Sequence, residues 1–204
     1  MERKQECIGK ILDLELNMFL RVRAREPAAC QQDPEGFRVM RSAQFSVWPE
    51  EALTSYCEDL KRAQEEGRNL MMLKYARMED LIPCLHEEPL VANLIDQIVA
   101  IELEWQREMM ARYPNLMRRA RPLEAADEAE GTTSFAMYLR AELETYSVDT
   151  LVLLHRHLAG SRAREKNLAE EIYLNMVRPL GYGSVEEAEA QAARRTNFAS
   201  EQCE

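Results

Sequence analysis

The sequence predicts an all-α protein, a helical bundle built from two tandem, pseudo-symmetric four-helix repeats. The chain has few Gly and Pro and many Leu, Met, Ala, Glu and Arg, a composition that favours helix over strand. Apolar residues recur at helical spacing through most of its 204 residues. One segment, residues 8–27, also recurs without gaps as residues 95–114. These observations predict a single helical domain with an internal duplication.

The repeat runs through two blocks of matched residues, each at its own constant spacing. In the first block Ile8, Ile11, Glu15, Leu16, Ala24, Arg25 and Pro27 recur as Ile95, Ile98, Glu102, Leu103, Ala111, Arg112 and Pro114. In the second block Phe37, Ala43, Leu53, Leu60, Asn69, Leu70, Tyr75 and Met78 recur as Phe135, Ala141, Leu151, Leu158, Asn167, Leu168, Tyr173 and Met176. The shared order predicts one repeat at about residues 5–83, a second at about 88–180, and a short C-terminal helix and tail at 181–204.

The first repeat is predicted to contain four helices, each bounded by residues that break helices. Pro27 ends the first helix, and the turn at residues 33–36 precedes the second. Pro49 suits the first turn of the third helix, and Gly67 closes it. The Ile82-Pro83 pair ends the fourth helix and the repeat. The predicted spans are about 5–25 for helix A, 35–46 for helix B, 49–66 for helix C and 68–81 for helix D.

The second repeat is predicted to follow the same order after a polar stretch of different length. Residues 118–134 are polar and rich in turn formers, which predicts a loop or a mobile insertion. Ser147 is placed to cap the third helix of this repeat. The predicted spans are about 88–114 for helix E, 133–146 for helix F, from 147 for helix G, 163–176 for helix H and 185–195 for a short last helix, with a frayed tail at 197–204.

A glutamate occupies the middle of the apolar face in both copies of the first helix. On a helical wheel Glu15 lies at the centre of the apolar arc of helix A, and Glu102 takes the same place in helix E. An unpaired buried carboxylate costs several kcal/mol or becomes protonated. Two acids at matching places therefore imply a partner, which can be a cation, a metal, hydrogen-bond donors, or the other acid through a shared proton.

Helix F repeats this pattern and extends the candidate site. Glu142 lies mid-arc among apolar residues, and its counterpart in the first repeat is Gln44. The remaining candidates are polar residues at or near the start of the fourth helix of each repeat. The candidate ligand-binding residues are Glu15, Gln44, Glu102, Glu142, Asn69, Asn167, Tyr75, Tyr173 and Glu171.

Three interpretations of the buried acids remain open from the sequence. In the first, they are satisfied structurally by Arg25, Arg41, Arg112 or Arg140, by Tyr hydroxyls or by helix N-termini. In the second, they bind a cationic or amine-bearing small molecule in a central cleft, where crowding raises one pKa and supplies a base. In the third, they hold a divalent metal.

The metal interpretation is weakened by the histidines. Di-iron bundles need Glu-x-x-His on two helices, and the sequence has none. His155 and His157 stand two residues apart, so on a helix they point in different directions. No metal ligand is therefore assigned, and the cofactor is unknown. Any metal on these acids would be a hard, oxygen-bound cation, Mg or Mn rather than Zn.

Charge and composition exclude several classes of partner. The formal net charge is −10, which disfavours nonspecific nucleic-acid binding. No apolar run reaches the length that spans a bilayer, and the first residues lack the pattern of a signal peptide. The five scattered cysteines include no C-x-x-C motif and are expected to be free thiols in the cytoplasm. A homo-oligomer is compatible with the sequence.

Three stretches of the chain read CQQDPEGFRVMRSAQFSVWPEEAL, EEGRNLMMLKYARMEDLIP and LRAELETYSVDTL. Together they resemble a bacterial family known as a domain of unknown function, numbered 4125. The resemblance covers about residues 2–182 and implies a bacterial cytoplasmic protein. It implies no activity, cofactor or catalytic residue.

The leading functional hypothesis is a small-molecule-binding protein, or an enzyme, with its site at the junction of the two repeats. The alternative is a structural or protein-interaction module whose buried acids are satisfied by Arg and Tyr. The first hypothesis requires a cavity beside the acids. The second requires a protein partner for every buried carboxylate.

Overall fold

A computed structural model describes residues 2–22, 29–124 and 133–201, and within these ranges every regular element is helical. The all-α prediction is therefore confirmed. Short 3-10 segments lie at Ala29–Gln32, Met117–Arg119 and Arg178–Leu180. The α-helices are α1 (Glu2–Phe19), α2 (Pro34–Ser46), α3 (Glu50–Glu65), α4 (Leu70–Met78), α5 (Pro89–Arg112), α6 (Phe135–Leu143), α7 (Val148–Ala163), α8 (Leu168–Val177) and α9 (Val185–Glu201).

Local capping signals place most helix starts where the sequence predicts them. Asp33, Asn69, Ser134 and Ser147 each accept a hydrogen bond from a backbone N–H in the first turn of the helix that follows. These bonds satisfy donors that a helix N-terminus otherwise leaves unpaired.

The predicted end of helix A is wrong. α1 ends at Phe19, and residues 20 and 21 form a turn. The Gln31 side-chain amide donates to the carbonyl oxygens of Phe19 and Val22, both at 3.0 Å, and so satisfies acceptors at this helix end. The counterpart, α5, continues to Arg112. Most of the predicted tail of helix A, residues 23–28, lies outside the described residues.

Two predictions in the second half also need correction. Helix H does not begin at Ala163, because that residue ends α7 and the next helix begins at Leu168, capped by Asn167. The last helix continues to Glu201 instead of ending at residue 195. Of the predicted insertion at 118–134, residues 125–132 lie outside the described part, and so do residues 202–204 of the predicted tail.

Helices from the first half of the chain pack against helices from the second half. α1 packs on α3, α5 packs on α7, and α3 packs against α7. The fourth helix of each half packs on the other half, with α4 against α6 and α8 against α2. A buried aromatic cluster of Phe45, Trp48, Tyr56 and Tyr146 lies where the halves meet, with the Tyr56 and Tyr146 ring centroids 4.6 Å apart. The core is therefore shared by both halves.

Among the described residues, no helix is both long enough and apolar enough to cross a bilayer.

Candidate functional site

Arg41, on α2, is the centre of a buried network of charged side chains. The residue is only 2% exposed. Its Nε donates to Glu15 Oε2 at 2.8 Å, and one terminal nitrogen donates to Glu15 Oε1. The other terminal nitrogen donates to Gln44 Oε1 at 2.7 Å and to Glu142 Oε1 at 2.8 Å. Arg41 thus brings together three candidate residues from α1, α2 and α6.

Glu15 is fully buried and fully paired. It lies in the middle of the apolar face of α1 and is 0% exposed. Two nitrogens of Arg41 donate to its two carboxylate oxygens, which makes a bidentate pair. The Tyr56 hydroxyl on α3 also donates to Glu15 Oε1 at 2.7 Å. A planar guanidinium matches a carboxylate in this geometry, which is the strongest form of such a pair. The structure therefore supplies Glu15 with the partner that its burial requires.

Glu142 is the second acid of the network and is paired to two cations. Besides Arg41, the Lys74 ammonium on α4 donates to Glu142 Oε2, and the Tyr146 hydroxyl donates to Oε1 at 2.6 Å. Lys74 is 3% exposed. Glu15, Glu142, Arg41 and Lys74 then sum to no net charge. A buried set of ions is tolerated when it is neutral and hydrogen-bonded in this way.

The pKa shifts follow from burial and pairing. Burial alone would raise the pKa of Glu142, but the charges of Arg41 and Lys74 and the hydrogen bonds to it outweigh burial and lower its pKa well below the ordinary value. Burial would lower the pKa of Arg41, and the two carboxylates instead raise it. Burial and the same carboxylates raise the pKa of Tyr56 and Tyr146. These pKa shifts favour the ionised forms of Glu142 and Arg41 and the neutral forms of Tyr56 and Tyr146.

Glu102 differs from the other two acids. Among the described residues, no hydrogen bond or ion pair reaches its carboxyl group. The side chain keeps part of its surface accessible, yet burial first, and repulsion by Glu142 second, raise its pKa to about 7. The carboxyl group of Glu102 therefore titrates near neutral pH.

An aromatic cavity of about 370 Å³ lies beside the charged network. Arg41 and Lys74 form its polar side, and Arg121 also reaches its wall. Among the candidate residues only Tyr75 and Tyr173 line it, while Glu15, Gln44 and Glu142 contact its cationic side chains from behind. The other lining residues are Phe19, Phe37, Met40, Met71, Gln106, Ala120, Leu123, Phe135 and Tyr138.

Cations already stack on one ring of this cavity. The Lys74 nitrogen lies 3.6 Å from the centroid of the Tyr138 ring, and the Arg121 guanidinium lies 4.8 Å from it. Such contacts are attractive because the face of the ring carries a partial negative charge. They hold both positive groups at the cavity wall, which also carries the neutral polar residue Gln106.

The two candidate asparagines act as helix caps. Asn69 Oδ1 accepts from the backbone of Met72 at 2.9 Å, and its amide donates to the Met18 carbonyl at 2.8 Å. Asn167 caps α8 in the same way and donates to the Trp105 carbonyl at 3.2 Å. Each therefore ties the start of a fourth helix to the first helix of its own half. Neither lines the cavity.

Glu171 also lies apart from the cavity. It pairs with Lys166 at 2.7 Å, and its side chain is 40% exposed. An exposed pair of this kind contributes little to stability. The structure does not bring Glu171 to the charged network.

Sequence reasoning anticipated some partners of the acids and missed others. Arg41 was among the arginines expected to satisfy an acid, whereas Arg112 and Arg140 pair with Glu170 and Asp96 instead. Arg25 lies outside the described residues. Lys74 was missed, although a lysine inside the apolar pattern of a short helix was a usable signal.

The described residues include no cluster of metal-ligating side chains. Within residues 2–22, 29–124 and 133–201, no three His, Cys, Asp or Glu side chains are arranged to hold a metal ion. The oxygens of Glu15 and Glu142 are occupied by protein donors. The described residues form an aromatic cavity with cationic side chains in its wall, and Glu102, whose pKa is about 7, lies on a neighbouring turn of α5.

The fold and site define an all-α bundle protein with a paired ion network beside an aromatic cavity. Comparison with known proteins gives the family. The chain belongs to the family described as protein of unknown function (DUF4125), whose model matches residues 5–190. No curated protein and no solved structure matches the chain.

Proposed function

We propose that this protein binds a small molecule in the aromatic cavity. The observation that carries the proposal is the lining, in which six aromatic rings surround about 370 Å³ and three cationic side chains reach the wall. Ligand pockets typically combine apolar walls with a few polar groups that fix orientation. An apolar ligand in this cavity would remove its own apolar surface and that of the lining from water, which is favourable.

We further propose that the chain arose by duplication of a four-helix unit, with the two copies related by a pseudo-two-fold axis. The packing pattern supports this, because exchanging the halves maps the contacts among the first eight helices onto one another. α1 on α3 becomes α5 on α7, and α2 on α8 becomes α6 on α4. The cap interactions of Asn69 and Asn167 also correspond, since Met18 and Trp105 occupy matching positions.

The cavity lining supports a site on this axis. Four pairs of lining residues are counterparts at the spacings of the sequence repeat, so each half contributes one member of each pair. They are Phe37 with Phe135, Tyr75 with Tyr173, Met40 with Tyr138 and Phe19 with Gln106. A cavity at the junction of two copies is a common place for a ligand.

The charge of the wall favours a ligand with an acidic group. Among the residues that the structure describes, Arg41, Lys74 and Arg121 line the cavity, and no carboxylate does. Arg41 and Lys74 are paired with Glu15 and Glu142, but both line the cavity, and a hydrogen bond from a cation to an anion is strong in an environment of low dielectric constant. We therefore propose an apolar or aromatic carboxylate as the ligand class. The cytoplasmic location expected from the sequence is part of this proposal, and the free thiols of Cys7, Cys57 and Cys84 support it.

Thermal unfolding with 3-phenylpropionate tests the proposal. The expected result is a rise in Tm, because a ligand at 100 times its Kd stabilises the native state by about 2.7 kcal/mol. The variant Ala120→Phe places a ring inside the cavity and is expected to abolish the rise. The matched control Ala100→Phe changes an exposed position on α5 and is expected to keep it. Equal shifts in the two variants, or no shift with phenyl and cyclohexyl carboxylates, would contradict the proposal.

A second candidate function is a structural or protein-interaction module. The complete pairing of Glu15 and Glu142 by Arg41, Lys74 and two tyrosines favours it, because these acids then need no ligand. This function predicts that the ligand does not raise the Tm of the wild-type protein, of Ala120→Phe or of Ala100→Phe. The same melting experiment therefore separates the two functions.

A further inference from the structure

Glu102 and Glu15 occupy equivalent positions in the sequence repeat but have different surroundings. The partners of Glu15 are Arg41 on α2 and Tyr56 on α3. At the spacing that relates Gln44 to Glu142, the counterparts of these partners are Leu139 and Leu154. The second half has therefore kept the acid and replaced both of the groups that would satisfy it with leucine.

The charged groups around Glu102 do not compensate for that loss. From α6, the ionised Glu142 repels Glu102 and contributes to its raised pKa. Arg140 on the same helix is paired with Asp96, and Arg162 on α7 is paired with Glu104, which is exposed. Among the described residues, no cation is paired with Glu102 itself.

Glu102 does not line the cavity, but it stands one helical turn from a residue that does. Gln106, four residues later on α5, is a lining residue, and positions four apart on a helix lie on the same face. On α6, the lining residue Tyr138 precedes Glu142 by the same interval. Glu102 and its repelling neighbour Glu142 thus each stand one helical turn from the wall, on two helices that pack together.

We propose that Glu102 receives a cationic group of the ligand, so that the site takes a zwitterion of the amino-acid class with an apolar or aromatic side chain. This inference rests on the proposed function. The ligand's carboxylate meets Arg41, Lys74 and Arg121, and its ammonium group meets Glu102. The ammonium group gives Glu102 the positive partner that Arg41 gives Glu15, and it relieves the repulsion by Glu142. This ligand class is a narrower version of the amine-bearing small molecule that one interpretation of the sequence predicts.

Three probes that share one phenyl group test the inference. They are phenylalanine, 3-phenylpropionate, which lacks the amine, and phenethylamine, which lacks the acid. Calorimetry on the wild-type protein is expected to find phenylalanine binding about tenfold tighter than 3-phenylpropionate, the factor that one charge-assisted hydrogen bond provides. Glu102→Gln is expected to remove that advantage and to leave the Kd of 3-phenylpropionate within about twofold. The matched control Glu104→Gln changes an exposed acid on the same helix and is expected to bind like wild type.

The outcomes distinguish the two proposals. If 3-phenylpropionate binds and phenylalanine binds no tighter, the cavity is a ligand site and Glu102 is no part of it, which overturns this inference alone. The same conclusion follows if Glu102→Gln weakens both ligands equally. If none of the three probes binds the wild-type protein, the proposed function fails, and this inference fails with it.

Proton release provides a readout that needs no variant. An ammonium group stabilises the ionised form of Glu102, whose pKa is about 7 in the empty protein. At about pH 6 the binding of phenylalanine should therefore release close to one proton per ligand, falling toward none above about pH 8. Calorimetry in buffers of different ionisation enthalpy measures that number. A release that is the same for phenylalanine and 3-phenylpropionate would overturn the inference.

Discussion

At the scale of single residues, two glutamates at matching positions of the sequence have different surroundings. Glu15 is held by three donor groups and is part of a neutral network. Glu102 has no paired cation among the described residues and lies near another negative charge. The difference comes from the neighbouring helices, because the local sequence around the two glutamates is similar.

The contrast predicts opposite effects for Glu15→Gln and Glu102→Gln on the free energy of unfolding. Glu15→Gln leaves the buried Arg41 short of a counter-charge and is expected to cost about 3–5 kcal/mol. Glu102→Gln removes an acid whose native pKa of about 7 lies above the ordinary value of 4.5. The native state therefore binds this proton more tightly than the unfolded state does, and the stability it provides is lost as pH rises from about 4.5 through 7.

Urea denaturation at several pH values measures both effects. At about pH 8 Glu102→Gln is expected to be more stable than wild type by about 1–3 kcal/mol, and below about pH 4.5 the two proteins should be alike. A Glu102→Gln variant that is as destabilised as Glu15→Gln at every pH would show that Glu102 has a partner after all.

The sequence alone could identify the acids but not their pairing. A glutamate at mid-face is visible on a helical wheel, since it depends only on spacing within one helix. The donation from Lys74 to Glu142 depends on the packing of α4 against α6, which are far apart in the chain. That packing, and with it the lack of a partner at Glu102, could not be derived from local patterns.

At the scale of the helices, α3 and α7 end in the same way with different residues. After α3, Gly67 has φ +68°, and the N–H groups of Gly67 and Arg68 donate back to Gln64 and Ala63. After α7, Glu165 has φ +56°, and Glu165 and Lys166 donate back to Arg162 and Ser161. Both are Schellman motifs, in which a left-handed residue ends the helix.

This pair of helix ends predicts a stabilising substitution. Glycine has no side-chain penalty in the left-handed region, whereas other L residues adopt it at a cost of about 1–2 kcal/mol. Glu165→Gly is expected to raise the free energy of unfolding by about 0.5–1 kcal/mol, and Gly67→Ala is expected to lower it by a similar amount. Chemical denaturation of both variants checks the prediction. A loss of stability in Glu165→Gly would mean that the glutamate side chain makes a contribution that outweighs the backbone strain.

Helix starts were more predictable than helix ends. Ser147 and Asp33 cap the residues directly after them, so their effect is local and visible in the sequence. The end of α1 depends on Gln31, which is twelve residues beyond Phe19 and bonds its carbonyl. The start of α8 differs from the prediction because Ala163–Lys166 has the composition of a helix, while Glu165 adopts the left-handed conformation, which glycine adopts most easily.

At the scale of the whole molecule, neither half has a complete core of its own. α4 packs on α6 and α8 packs on α2, so each half covers part of the other. The chain is therefore expected to unfold in one cooperative step.

The two tryptophans allow that expectation to be tested. Trp48 lies in the first half and Trp105 in the second, and they are 5% and 2% exposed. The variants Trp48→Phe and Trp105→Phe each keep one fluorescent reporter, and each transition is compared with circular dichroism of the same variant. The midpoint and slope in urea should agree between the two probes in both variants. Separate transitions would mean that the halves fold as independent units.

The exchange of fourth helices also bears on how such a molecule could come about. A four-helix ancestor whose last helix packs on a neighbour would have been stable only as a pair of identical chains. In that pair every substitution would appear on both sides of the axis at once. Joining the copies in one gene lets the two sides change separately. Under the proposed duplication, an arginine at residue 41 and a leucine at its counterpart, residue 139, are an asymmetry that a pair of identical chains could not carry.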